Sequence, residues 1–199
     1  MRKKRVIFVQ GYGDYTDGVW PGWLSQELKK TGFDFSYLEM PNVMCPEVSE
    51  WLDFLRVQKI KVNRDTYFVG HSLGCITIAR YLEALPEKAL IGGCVMVSGF
   101  CSIPKVPLLS DFCDLPLDYE KVKAHSENFV MIISDNDHLI PRVDSEELAS
   151  KLGAEIIVEY GKGHFKSDVK EVHSVLNIIF EWDQMREEAL EIKKLKRFV

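Results

Sequence analysis

A serine between two glycines is the residue in this sequence best placed to do chemistry. Ser72 is the centre of a G-x-S-x-G motif that begins at Gly70 and ends at Gly74. The apolar run 67–69 before the motif predicts a strand, and the apolar spacing over 75–85 predicts a helix. A serine on a sharp turn from strand to helix is a nucleophile elbow, in which only very small neighbours fit. The alternative is a chance match, because short Gly and Ser patterns are common.

A nucleophilic serine also needs a base and a carboxylate, and the sequence offers both. A serine hydroxyl becomes nucleophilic when a hydrogen-bonded imidazole takes its proton, and a buried carboxylate holds that imidazole in place. His164 follows the last predicted strand, in a glycine-rich loop that could place its ring. Two candidate acids follow an earlier strand. We favour Asp137, which stands four residues before Pro141, and interpret Asp135 as a turn former.

Two other side chains could compete for these roles. Cys75 follows Ser72 by three positions, but nothing around it indicates an activated thiol, so core packing is the favoured interpretation. His138 is adjacent to Asp137 and could act as the base instead of His164. Its side chain should diverge from that of its neighbour, so a surface or supporting position is the default.

Acyl transfer also requires donors for the oxygen anion of the tetrahedral intermediate. The predicted donors are two backbone N–H groups, that of Leu73 at the start of the helix and that of Tyr12 after the first strand. Each such donor typically contributes about 2.7–4 kcal/mol to lowering the barrier. The Tyr12 ring either lines an acyl pocket or simply packs.

The elements that must position these groups alternate along the chain. Apolar runs predict six strands, at 6–9, 33–40, 66–70, 91–97, 129–133 and 154–160. The segments between and after them predict five helices, at 24–30, 47–60, 75–85, 145–152 and 169–182. Asp144 is the candidate N-cap of the helix at 145–152. Such alternation implies a three-layer α/β/α fold with about six mostly parallel strands, whose carboxyl ends gather ligands. We expect a single domain over 1–199, with a core at about 5–182 and a charged helical tail from 183.

The segment 101–127 interrupts this alternation and is the predicted cover of the site. Four apolar side chains in or beside it could form an acyl pocket, namely Phe100, Leu108, Leu109 and Phe112. Capping of the core is an equally supported interpretation. Trp20 is a further candidate for substrate contact, although an anchor at the start of the first helix is favoured.

Charge and composition narrow the function classes. The net charge of -5 provides no basic field for a phosphate backbone, so nucleic acid is not the expected partner. No stretch approaches the length of a membrane span. The five cysteines are odd in number and lack C-x-x-C spacing, which favours reduced thiols in a cytoplasmic protein over a disulfide framework or a metal site. No cofactor is expected.

From about residue 5 to residue 180 the chain resembles the small serine hydrolases of the retinoblastoma-binding-protein type, a compact branch of the α/β-hydrolase superfamily. The resemblance rests on short motifs at 10–13, 20–24, 40–41, 70–74, 80–81, 137–141 and 163–165. It implies Ser72 as nucleophile, Asp137 as acid and His164 as base, in a sheet without the large cap of many lipases. Three features depart from the family: His138 in place of a frequent proline, Gly11-Tyr12 in place of Gly-Asn, and a tail beyond Trp182.

The predicted function is cleavage of a small, uncharged or modestly apolar carboxylic ester through a Ser72 acyl-enzyme. Two alternatives stay open. The first is a protein-interaction module that keeps the fold with weak or incidental activity, as the family name suggests, because fold alone does not imply function. The second is amide or peptide hydrolysis by the same triad.

Overall fold

A computed structural model of the protein describes residues 2–13, 19–102, 106–166 and 168–195. Six strands form one parallel sheet: β1 (Arg5–Val9), β2 (Asp34–Leu38), β3 (Thr66–His71), β4 (Gly93–Val97), β5 (Phe129–Ser134) and β6 (Glu155–Glu159). Their order across the sheet is β2-β1-β3-β4-β5-β6, and each neighbouring pair is parallel. The predicted six-stranded α/β architecture is therefore confirmed.

Helices cover both faces of this sheet. The described ranges contain seven: α1 (Val19–Lys30), α2 (Val48–Val57), α3 (Leu73–Glu83), α4 (Asp111–Asp114), α5 (Tyr119–Ala124), α6 (Arg142–Leu152) and α7 (His173–Leu195). Between β4 and β5 the chain forms a 3-10 turn (Pro107–Leu109) and the short helices α4 and α5. The described residues of this segment, 98–102 and 106–128, form these short elements and no large cap. None of the helices in the described ranges combines the length and apolar character needed to cross a membrane.

Side chains alternate between the two faces of the central strands and bury both. On one face Phe68 and Met96 pack with apolar residues of α2, α3 and α6. On the other face Phe8 and Val95 pack with residues of α1 and α7. Strands buried on both faces are typical of a parallel sheet covered by helices, and they explain the continuous apolar runs in the sequence.

Three helix starts differ from the prediction by three residues or more. α1 begins at Val19 instead of residue 24, because Trp20 and Leu24 bury one face of the helix. Pro21 is tolerated there, since N–H groups in the first turn have no intrahelical partner. α6 begins at Arg142, so Asp144 lies inside its first turn and is not the N-cap. α7 begins at residue 173 instead of 169 and continues to residue 195.

Candidate active site

Ser72 occupies a strained turn between β3 and α3. Its φ of 54° and ψ of -120° lie outside the regions that non-glycine residues favour. A Cβ on Gly74 would lie 2.2 Å from the carbonyl oxygen of Val9, and one on Gly70 would lie 2.9 Å from the Cα of Cys75. Both glycines therefore have the steric role that the motif predicts.

Two hydrogen bonds join Ser72, His164 and Asp137. The Ser72 hydroxyl donates to His164 Nε2 at 3.0 Å, and His164 Nδ1–H donates to Asp137 Oδ2 at 2.8 Å. The imidazole and carboxylate side chains are only 4% and 5% exposed. An arrangement of this kind can move a proton from a serine oxygen to an imidazole while the carboxylate fixes the tautomer.

The surroundings set the charge states of His164 and Asp137. Burial lowers the pKa of His164 below its usual value of 6.5, and the hydrogen bond to Asp137 only partly opposes this effect. Burial alone would raise the pKa of Asp137, but the hydrogen bond and charge of His164 and two backbone N–H donors outweigh it and lower the pKa to about 2. At neutral pH the imidazole is therefore uncharged and able to accept a proton, while the carboxylate is ionised.

The competing side chains have other roles in the structure. Asp135 Oδ1 accepts the N–H of Gly161 at 2.7 Å and so braces the loop that carries His164. His138 is exposed and is directed to a cavity beside Ser72. Cys75 is buried behind the turn, and burial raises the pKa of its thiol. Cys75 and His138 thus lie in the core and at the surface, as interpreted from the sequence, whereas the Asp135 side chain bonds to another loop and not within its own turn.

The loop that follows β1 lies close to the backbone of Ser72. A Cβ on Gly11 would lie 2.9 Å from the Cβ of Ser72, so the loop that carries Tyr12 lies directly against the serine. Among the loop and cap hydrogen bonds of the described residues, neither the Tyr12 nor the Leu73 N–H is a donor. Neither N–H group is therefore engaged in a bond of this set, which is a condition that an oxyanion donor must meet.

Comparison with known proteins connects this geometry to a family. A family model described as "Serine hydrolase" matches residues 6–180. The chain belongs to the serine hydrolase family.

Relatives of this serine hydrolase align over most of its length. YdeN of Bacillus subtilis (strain 168), named as a hydrolase, is 33% identical over 166 residues, or 83% of this chain and 87% of YdeN. Serine hydrolase RBBP9 of Rattus norvegicus is 28% identical over 180 residues, or 89% of this chain and 93% of RBBP9. The crystal structure of the ydeN gene product superposes with a TM-score of 0.87 at 31% identity, covering 92% of this chain and 100% of that chain. The predicted resemblance to serine hydrolases of this type is thus confirmed.

Beside Ser72 and His164 the serine hydrolase has a cavity of about 500 Å³. Most of its wall is apolar, and Phe100 and Leu109 belong to it as predicted. The other side chains that line it are Tyr12, Ser102, Val106, His138, Leu139, Ile140, Pro141, Asp144 and Lys166. Within the described ranges no group of three or more His, Cys, Asp or Glu residues is arranged to hold a metal ion.

Three predicted pocket residues lie elsewhere. Trp20 is 1% exposed, and its indole N–H donates to the carbonyl oxygen of Phe165 at 2.9 Å. It therefore supports the His164 loop from behind, as an anchor and not as a substrate contact. Leu108 is 43% exposed on the surface, and Phe112 is buried edge-on against Trp51.

Sequence reasoning missed most of the side chains that hold the His164 loop. His71 Nε2–H donates to the carbonyl oxygen of His164 at 2.8 Å, and Asn136 Oδ1 accepts the N–H of Gly163 at 2.8 Å. The loop needs such support because Phe165 has a positive φ of 52°, which residues with a side chain rarely adopt. The available signal was position: His71 stands inside the motif and Asn136 stands between the two candidate acids.

Proposed function

We propose that this serine hydrolase cleaves small carboxylic esters through an acyl-enzyme on Ser72, with His164 as the base and Asp137 as the orienting acid. The observation that carries the proposal is the hydrogen-bonded relay of these three side chains beside a mostly apolar cavity. Its support is physical as well as geometric, because the low pKa values of His164 and Asp137 give the charge states that such a relay requires.

The first half of the reaction forms the acyl-enzyme. Ser72 Oγ attacks the carbonyl carbon of the ester while its proton passes to His164 Nε2. The carbonyl oxygen becomes an anion and accepts hydrogen bonds from the Leu73 and Tyr12 N–H groups. Protonated His164, stabilised by Asp137, then gives its proton to the departing alkoxide, which leaves as an alcohol.

The second half restores the serine. Water replaces the alcohol and attacks the acyl carbon, with His164 again taking the proton. Collapse of the second tetrahedral intermediate breaks the bond to Ser72 Oγ, which recovers its proton from His164, and the carboxylic acid leaves. No group beyond the chain and water is required for these steps.

The cavity supports a small and mainly apolar acyl group. A volume of about 500 Å³ lies within the usual range for small-molecule sites. Phe100 and Leu109 are buried at its wall, which favours hydrocarbon over charged groups at that point. We therefore expect turnover to be best on esters with short to medium acyl chains.

Location and organisation are part of the same proposal. All five cysteines are unpaired, and Cys75, Cys94 and Cys101 are buried. Free thiols of this kind suit a reducing compartment such as the cytoplasm. The described elements pack on one sheet, so we propose that residues 1–199 act as a single catalytic domain. The net charge of -5 favours small-molecule substrates over nucleic acid.

Labelling with a fluorophosphonate probe, followed by a series of p-nitrophenyl esters of rising acyl length, tests the proposal. We expect wild type and the matched cavity variant Ser102→Ala to be labelled, whereas Ser72→Ala and His164→Ala are not. Equal labelling of Ser72→Ala would overturn the serine mechanism. Labelling without turnover of any ester or amide would favour the protein-interaction module, and faster turnover of anilides than of esters would favour an amidase.

A further inference from the structure

A second cavity lies at the opposite edge of the sheet from Ser72. Its volume is about 560 Å³, and its walls come from the residues that precede β3, β4 and β5 and from the last turns of α7. Because all six strands are parallel, their starts share one edge, which is roughly 17 Å, one strand length, from the edge that carries Ser72. This cavity, here called the amino-edge cavity, is therefore separate from the one beside the serine.

The outer wall of the amino-edge cavity is formed by a part of α7 that the family match does not include. The match ends at residue 180, whereas α7 continues to Leu195. Ion pairs fix this extension to the body of the protein. Asp183 accepts Lys4 Nζ at 2.6 Å, and Arg186 donates to Asp65 at 2.7 Å. The wall is therefore held in place and does not depend on a ligand for its position.

The half-buried indole of Trp182 forms part of one wall of the amino-edge cavity. The indole of Trp182 lies over Gly93, where an added Cβ would come within 2.3 Å of the ring. Tyr67 stacks on the same indole, with ring centroids 6.5 Å apart and planes 15° apart. The half-buried side chain of Leu190 adds further apolar surface to the wall. The part of the indole that stays exposed could pack against an aromatic ring of a ligand.

Positive charge surrounds that surface. Arg64, Arg186 and Lys193 line the cavity, against the single carboxylate of Glu127. Arg186 is engaged by Asp65, but neither Arg64 nor Lys193 has an acidic partner in the part of the chain that the structure describes. This local excess is opposite in sign to the net charge of -5. Two cations without acidic partners beside a concave, partly apolar wall concentrate anions there.

We propose that the amino-edge cavity binds a small aromatic carboxylate, with its ring against Trp182 and its carboxylate held by Arg64 and Lys193. A guanidinium fork matches the two oxygens of a carboxylate, and a flexible ammonium group can complete the contact. The volume of about 560 Å³ suffices for a ligand of one or two rings. This assignment is independent of the chemistry at Ser72.

A calorimetric titration of the full-length protein with 1-naphthoate tests the assignment. We expect 1-naphthoate to bind saturably at one site, with an affinity that falls as salt is added. The neutral analogue 1-naphthylmethanol should bind at least about tenfold more weakly. Arg64→Gln and Lys193→Gln should each weaken 1-naphthoate binding about tenfold.

Two matched lysine variants identify the site. Lys194→Gln removes the neighbouring charge, which does not line the cavity, and Lys166→Gln removes the lysine beside Ser72. Both should leave the affinity for 1-naphthoate unchanged. The assignment is overturned if no binding occurs, if 1-naphthylmethanol binds as tightly, if neither Arg64→Gln nor Lys193→Gln weakens binding, or if Lys166→Gln is the variant that does.

Discussion

Asp137 and Asp183 are both buried carboxylates, but they lie at opposite edges of one sheet and have different kinds of partner. The Asp137 side chain is 5% exposed and is held by an imidazole and by backbone N–H groups. The Asp183 side chain is 8% exposed and is held by Arg2 and Lys4. An imidazole can gain and lose a proton near neutral pH, whereas Arg and Lys keep their charge. A buried carboxylate can therefore support proton transfer at one edge of the sheet and stabilise the fold at the other, depending on its partners.

Backbone strain separates the two edges in the same way. Of the five described non-glycine residues with positive φ, Ser72, Ser98 and Phe165 lie at the edge that holds the relay. Each of them follows a strand or belongs to the His164 loop. Strained residues of this kind persist only where the surroundings hold them firmly, and they concentrate at functional sites. The comparison therefore distinguishes the edge where strained residues surround the Ser72 relay from the edge where ion pairs hold α7 to the body of the protein.

The sharpest test of this separation is Asp137→Asn. Loss of the carboxylate removes the group that fixes the His164 tautomer, so we expect kcat on p-nitrophenyl esters to fall by up to about 10⁴-fold with the fold intact. Circular dichroism should show a native spectrum. The matched variant Asp135→Asn removes a hydrogen bond to Gly161 and should cost far less activity. A larger loss in Asp135→Asn would assign the acid to the other carboxylate.

Asp183→Ala is the corresponding change at the amino edge. It removes the more buried of the two carboxylates that Arg2 and Lys4 share, the other being that of Glu187. We expect the free energy of unfolding to fall by about 2 kcal/mol, less than the cost of breaking a fully buried pair, because both cations keep Glu187 and some contact with water. Urea denaturation measures this change, and kcat/KM at 25 °C should stay within a factor of two or so of wild type. The control Glu187→Ala removes a half-exposed carboxylate and should change stability by less than about 1 kcal/mol. A loss of activity without a loss of stability in Asp183→Ala would contradict the division between the edges.

Trp20→Phe examines a residue that supports the site from the core. The substitution keeps an aromatic ring but leaves the Phe165 carbonyl without its donor, which should cost about 1–3 kcal/mol of stability. Because Phe165 adjoins His164, we also expect kcat to fall by up to about 10²-fold with little change in KM. Trp23→Phe is the matched control, since its half-exposed ring packs on His173 and not on the loop. Equal effects of the two variants on kcat would show that Trp20 only packs.

The local motifs of the site could be predicted from the sequence, whereas the supporting contacts between distant positions could not. The turn at Ser72 could be predicted because its strand, glycines and helix are contiguous, and each polar candidate stood directly after an apolar run. The contact of Trp20 with Phe165 joins positions 145 residues apart, and that of Arg2 with Asp183 joins positions 181 apart. The spacing of apolar residues along the sequence does not indicate which distant side chains will be in contact. The start of α1 was missed for a related reason, since Pro21 and Gly22 disfavour a helix locally while burial of Trp20 and Leu24 favours it.

The smallest expected effect concerns pH and follows from the partners of His164. Burial lowers the pKa of this group below 6.5, Asp137 raises it, and the nearby charges of His71 and Lys166 lower it further. Since the uncharged imidazole is the active base, kcat/KM should rise with pH through a midpoint below 6.5 and then stay level. In the unfolded chain the group binds its proton more readily, so its contribution to stability is complete above pH 6.5 and declines as the pH falls toward the folded pKa.

Lys166→Met sharpens this last test, because it removes one of the groups that lower the pKa of His164. The midpoint of kcat/KM should move to higher pH in this variant and to lower pH in Asp137→Asn, where the raising influence is lost. Lys170→Met, at an exposed lysine that the pKa of His164 does not depend on, is the matched control. Midpoints that do not differ between wild type and Lys166→Met would show that a group other than His164 titrates in the pH profile. The contrast between a carboxylate that tunes a titrating partner and one that neutralises fixed charges would then no longer hold.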